Sequence, residues 1–105
     1  MNLSPGEIHL VDLGMIGKVR PAVVVSRRDS NAARAIALCV PLTTSYRNSP
    51  YEVSLGKLRF LDRESWANVQ GLTSLEHAKL LRQLGKVTDT QLAGIKAALR
   101  FVLEL

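Results

Sequence analysis

A lone cysteine, Cys39, excludes an internal disulfide in this 105-residue chain. It lies in an apolar run and reads as a small buried hydrophobe in a reducing compartment. Histidines are equally scarce: His9 and His77, with Cys39 between them, have no zinc-ligand spacing, so neither a metal site nor a cofactor is expected. The connection Leu13-Gly14-Met15-Ile16-Gly17-Lys18 lacks the glycine spacing and the Lys-Ser/Thr ending of a phosphate loop. There is no Ser or Cys nucleophile motif, and Asp62 and Glu64 read as a solvated turn rather than a catalytic carboxylate pair. No apolar run approaches the ~18 residues of a membrane span. Residues 1–6 have neither a basic nor an apolar leader region, which predicts a cytoplasmic protein without membrane attachment. Any catalysis must then rest on hydrogen bonding and positive charge, which suits a substrate that carries its own nucleophile.

The composition, 47% apolar and 22% charged, fits one globular domain over residues 1–105. Fourteen Lys/Arg against nine Asp/Glu leave a net charge of +5. The excess is present in both halves of the chain, so it is no tail, and it favours a polyanionic partner such as nucleic acid.

The chain is organised around Lys18-Val19-Arg20-Pro21-Ala22-Val23-Val24-Val25-Ser26. Proline keeps Arg20 extended, and Pro21 suits the first position of a β-branched core strand, so a planar guanidinium stands at a strand rim. Before it, residues 7–12 alternate as a strand with Ile8 and Leu10, and Val11 by a twist, as the core face and His9 pointing away. After it, Arg27 and Arg28 sit in a polar turn, either solvated or placed for phosphates. Residues 35–43 are apolar at nearly every position, as for a strand covered on both faces near its middle, with Pro41 marking its exit. Thr43 and Thr44 set hydroxyls at that strand end. Residues 45–51 form the most loop-like stretch, where Tyr46 and Tyr51 flank Arg47, a combination that can stack bases and hold a backbone or simply cover a loop. Further strands are expected over 52–55, 58–60 and 66–70, and one or two helical turns over 74–81. Thr88-Asp89-Thr90-Gln91 reads as a capping box opening a helix with Leu92, Ile95, Leu99 and Val102 on one face. The expected architecture is a small, mostly antiparallel β-barrel or half-barrel closed by a C-terminal helix.

Taken together, Gly6-Glu7-Ile8-His9-Leu10-Val11-Asp12-Leu13, Arg20-Pro21-Ala22-Val23-Val24-Val25-Ser26 and Val40-Pro41-Leu42-Thr43-Thr44-Ser45 resemble the MazF/PemK family of toxin endoribonucleases. The order and spacing match over nearly the whole chain. The resemblance implies an SH3-like β-barrel with a C-terminal helix, of the CcdB/MazF type, and a homodimer neutralised by a cognate antitoxin. It also implies metal-independent cleavage of single-stranded RNA by a catalytic pair that falls on Arg20 and Thr43. Thr44, Ser45, Tyr46, Arg47, Arg27 and Arg28 are the expected RNA-binding residues. Two stretches depart from the family pattern: the loop before Arg20 is short, and Gln70-Gly71 stands where members show a polar pair. The rival functions on such a fold are a CcdB-like gyrase poison and a non-catalytic module that binds nucleic acid or an antitoxin. A gyrase poison does not need the Arg20/Thr43 pair.

Overall fold

The computed structural model describes residues 2–14 and 18–105, so residues 15–17 of the glycine-punctuated connection before Arg20 lie outside the described residues. The chain forms β1 (Glu7–Asp12), β2 (Val19–Val24), β3 (Ile36–Thr43), β4 (Glu52–Lys57), β5 (Glu64–Asn68), β6 (Thr73–Glu76), β7 (Leu80–Lys86) and α1 (Asp89–Leu103). Short 3-10 turns at Val69–Gly71 and His77–Lys79 flank β6. Strand order is β4-β5-β3-β2-β1-β7, all pairs antiparallel, and β6 also pairs with β3. Among the described residues nothing pairs β4 with β7, so the sheet is an open half-barrel rather than a closed one.

β3 is the spine. One edge pairs with β2 at Cys39, Val40 and Pro41, while the other pairs first with β6 from Ile36 to Cys39 and then with β5 at Leu42 and Thr43. The chain steps off that second edge through the Val69–Gly71 turn where Pro41 has no N–H to offer. The step is tight, because a Cβ on Gly71 would lie 2.6 Å from Pro41 Cγ. Gly71 is therefore fixed by close approach to Pro41, which gives its departure from the family pattern a structural reason.

The helix-covered face holds the larger core: Ile8, Val23, Val40, Leu42, Leu55, Ala67, Val69 and Val87 meet Ile95 and Ala98 of α1. The other face carries a smaller cluster, Leu3, Val11, Ala22, Val24, Ala37, Cys39 and Leu80. Burial on both faces explains the unbroken valine run of β2. The capping box forms as expected: Thr88 Oγ1 accepts from Gln91 N at 3.1 Å, and Thr88 N donates to Gln91 Oε1 at 2.9 Å.

Several expectations are corrected. β2 starts at Val19, so Pro21 lies inside it, on a stretch that pairs with β1 only; pairing to β3 begins at Ala22. Near its middle β3 is covered on both faces as expected, with Cys39 and Val40 fully buried, but at its start Ile36 and Leu38 are 40% and 42% exposed, because α1 packs over β4 and the Val69–Gly71 turn instead. In β1, Ile8 and Val11 are the fully buried positions, and His9 is itself buried, with Nε2 2.9 Å from Glu7 Oε1. Residues 58–60 form a turn rather than a strand, and Leu58 and Phe60 cover the core from there. β5 begins at Glu64 and ends at Asn68, two residues early at each end. Residues 74–81 are not helical: they contribute β6, a 3-10 turn and the start of β7, a strand the sequence reading did not anticipate.

Candidate functional site

The end of β3 is shaped by Thr43 itself, whose Oγ1 accepts from Ser45 N at 3.1 Å and turns the chain out of the sheet. On its far side Thr43 stands opposite Trp66 of β5. On the near side lies β2. The β2–β3 pairing ends at Ala22↔Pro41, and Arg20 and Thr43 each lie two residues beyond that pair, so by strand alternation both belong to its face, the one away from α1. Arg20 is exposed, and among the described residues it has no carboxylate within ion-pair distance. Directly opposed residues share a face, so Val11 and Arg20 stand side by side across β1 and β2, and Thr43, Trp66 and Ser54 do so across β3, β5 and β4.

Beside the Thr43–Trp66–Ser54 row opens a polar cleft of about 450 Å³ lined by Thr43, Ser45, Arg47, Ser49, Tyr51, Glu52, Asn68 and Gln70. Glu52 organises its outer wall. Its carboxylate accepts from Arg47 N at 3.1 and 3.2 Å, from Ser49 N at 3.3 Å and from Ser49 Oγ at 3.0 Å. Asn48 takes a left-handed φ of 53° and its Oδ1 accepts from Tyr46 Oη at 2.9 Å. The Tyr46 ring lies parallel on Trp66, centroids 4.7 Å apart and planes 8° apart, while Tyr46 remains 49% exposed. On the inner side Tyr51 packs against Phe101 of α1 at 5.5 Å. Asn68 closes the floor, where its Oδ1 accepts from Gln70 N at 3.2 Å.

Of the expected site residues, Thr43, Ser45 and Arg47 line this cleft together, with Thr44 between them on the exposed turn and Tyr46 on the Trp66 shelf beside it. Arg20 does not line the cleft and stands on the neighbouring strand β2. Arg27 and Arg28 do not gather here. They follow the opposite end of β2, where Arg27 lines a separate cleft of about 240 Å³ with Ser26, Asp29 and Arg34. Sequence reasoning missed Glu52, Asn68 and Trp66. A signal existed for Glu52, since Ser49-Pro50-Tyr51-Glu52 carries the Ser-x-x-Glu spacing of reciprocal capping, here closing a turn without a helix.

Cys39 is buried, and desolvation pushes its thiol up to about 11, which makes it a poor nucleophile at neutral pH. Among the described residues no three His, Cys, Asp or Glu side chains gather as metal ligands. No helix there is long and apolar enough to cross a membrane.

Comparison with known proteins agrees with this geometry. The chain is 32% identical to Endoribonuclease MazF9 of Mycobacterium tuberculosis over 95% of both chains. It is 31% identical to Probable endoribonuclease MazF5 of the same organism, over 94% of this chain and 91% of that one. A solved mycobacterial endoribonuclease in complex with its cognate antitoxin superposes with a TM-score of 0.84 at 29% identity, covering 98% of this chain and 96% of that chain. The family described as PemK-like, MazF-like toxin of type II toxin-antitoxin system matches residues 4–103, and the chain belongs to that family.

Proposed function

We propose that this toxin is an endoribonuclease that cuts single-stranded RNA by attack of the substrate's own 2′-hydroxyl on the adjacent phosphorus. The O2′–P bond forms as the P–O5′ bond breaks, the 2′-hydroxyl proton passing to solvent water and O5′ taking one up from water, leaving a 2′,3′-cyclic phosphate and a 5′-hydroxyl. The observation that supports this reading is Thr43 at the edge of a polar cleft at the end of β3, with an exposed Arg20 on the same face of the neighbouring strand β2.

Arg20 presents a fork of donors to the phosphate, and its charge stabilises the added negative charge of the pentacovalent transition state. It stays protonated at neutral pH, so stabilisation rather than proton transfer is its role. Thr43 Oγ1 already accepts from Ser45 N, which leaves the hydroxyl proton to donate to a non-bridging phosphate oxygen. Glu52 is engaged by the loop donors and acts on the shape of the cleft. Arg47, Thr44 and Ser45 hold the RNA backbone, and Arg27 and Arg28 meet it further along. A cognate antitoxin blocks the same face in the cytoplasm.

End-group mapping of a long RNA in excess EDTA tests the reading. Cleavage with cyclic-phosphate and 5′-hydroxyl ends is expected from the native protein and not from Arg20→Ala. Products with 5′-phosphate ends, or full activity of a folded Arg20→Ala protein, would contradict it.

A further inference from the structure

We infer that the outward face of Tyr46 is a stacking platform for one RNA base, that of a nucleotide flanking the scissile phosphate. This rests on the endoribonuclease reading and specifies how the cleft holds its substrate. One face of the ring is laid flat on Trp66, and Tyr46 is 49% exposed. The phenol is tethered to Asn48, and the next residue is pinned by the Glu52 carboxylate, so the ring is held before any ligand arrives.

Position makes the assignment specific. Trp66 is the neighbour of Thr43 across β3 and β5, about one strand spacing (~4.8 Å) away and on the same face. A phosphate held between Arg20 and Thr43 therefore has its flanking nucleotide beside the Tyr46–Trp66 pair, and an unpaired base there can extend the stack by one ring. Stacking tolerates every base but favours the larger purine face, whereas the Asn68 amide and Gln70 at the cleft floor are the groups able to read an edge. Tyr46 is thus a base-binding residue rather than a catalytic one.

The test uses the full-length protein with two readouts, cleavage and fluorescence-anisotropy binding of a labelled RNA oligonucleotide. The oligonucleotide is prepared intact and with a single abasic nucleotide on either side of the mapped cut. Tyr46→Ala should weaken binding and cleavage of intact RNA about 10- to 100-fold, the usual worth of one base on an aromatic ring. One abasic position should cost the native protein the same factor and cost Tyr46→Ala nothing more. Tyr46→Leu separates stacking from mere cover for Trp66: it should keep the native melting temperature yet behave as Tyr46→Ala does, while Tyr46→Phe stays near native.

Additive losses from Tyr46→Ala and the abasic site, or native behaviour of Tyr46→Leu, would overturn the platform while leaving the nuclease reading intact. Binding that depends on Tyr46 in a native protein that never cuts would keep the platform and overturn the nuclease reading. A native protein that neither binds nor cuts RNA overturns both.

Discussion

In the proposed reaction Thr43 carries two hydrogen-bonding duties through one oxygen, accepting from Ser45 N as the structure shows and donating its proton to the substrate. Thr43→Val preserves shape and removes both, so cleavage should fall by about 100-fold or more. Thr43→Ser should stay near native in the same assay, and a fully active Thr43→Val would show the hydroxyl to be idle. Cys39 supplies a pH signature of the fold. Its thiol rises from 9.0 to about 11 through burial, so the folded state holds the proton more tightly than the unfolded one. Below pH 9 both states are protonated and stability is unaffected; between 9 and 11 the folded state binds more protons, and stability falls as pH rises. Denaturant titrations should record that alkaline loss in the native protein and a smaller one in Cys39→Ala, whereas equal slopes would show the thiol to be solvated. That Arg20 stands near the start of β2 and Thr43 at the end of β3 was legible from sequence because each lies next to a local marker, the proline after Arg20 and the strand end after Pro41. Trp66 and Glu52 were not. The Trp66 shelf exists only through pairing with Thr43, a partner far away in sequence, and Glu52 acts by folding a loop back on itself.

The elements that sequence identified best are those whose signals are local. The capping box and apolar stripe of α1 and the valine run of β2 need no knowledge of neighbours. Residues 74–81 went astray because Leu75, Leu80 and Leu81 also fit helical spacing, and what makes residues 73–76 a strand is the free edge of β3 beside Ile36 to Cys39. The crossing of Pro41 and Gly71 is the hinge of that arrangement. Gly71→Ala places a methyl group 2.6 Å from Pro41 Cγ and should cost about 1–3 kcal/mol, as overpacking does. Combining it with Pro41→Ala should restore part of the loss, read by chemical denaturation as a non-additive pair. Strict additivity would mean the two residues do not touch.

At the scale of the whole molecule, composition and charge already indicated one small basic domain, and the structure adds an open sheet with apolar side chains left outside. Val19, Ile36, Leu38, Leu81 and Phe101 are all 40% exposed or more. A homodimer is the expected state, and light scattering should give about twice 11.5 kDa at micromolar concentration, while a monomer at every concentration would contradict it. The central claim, however, is chemical, and it is tested on the substrate rather than on the protein. An RNA oligonucleotide carrying a single 2′-deoxy sugar immediately 5′ to the scissile phosphate lacks the attacking group while keeping every phosphate that Arg20 and Thr43 would hold. The account predicts that cutting stops at that position and continues at unmodified sites in the same strand. Cutting of the substituted strand as fast as the parent would mean that water is the nucleophile, and would contradict the account.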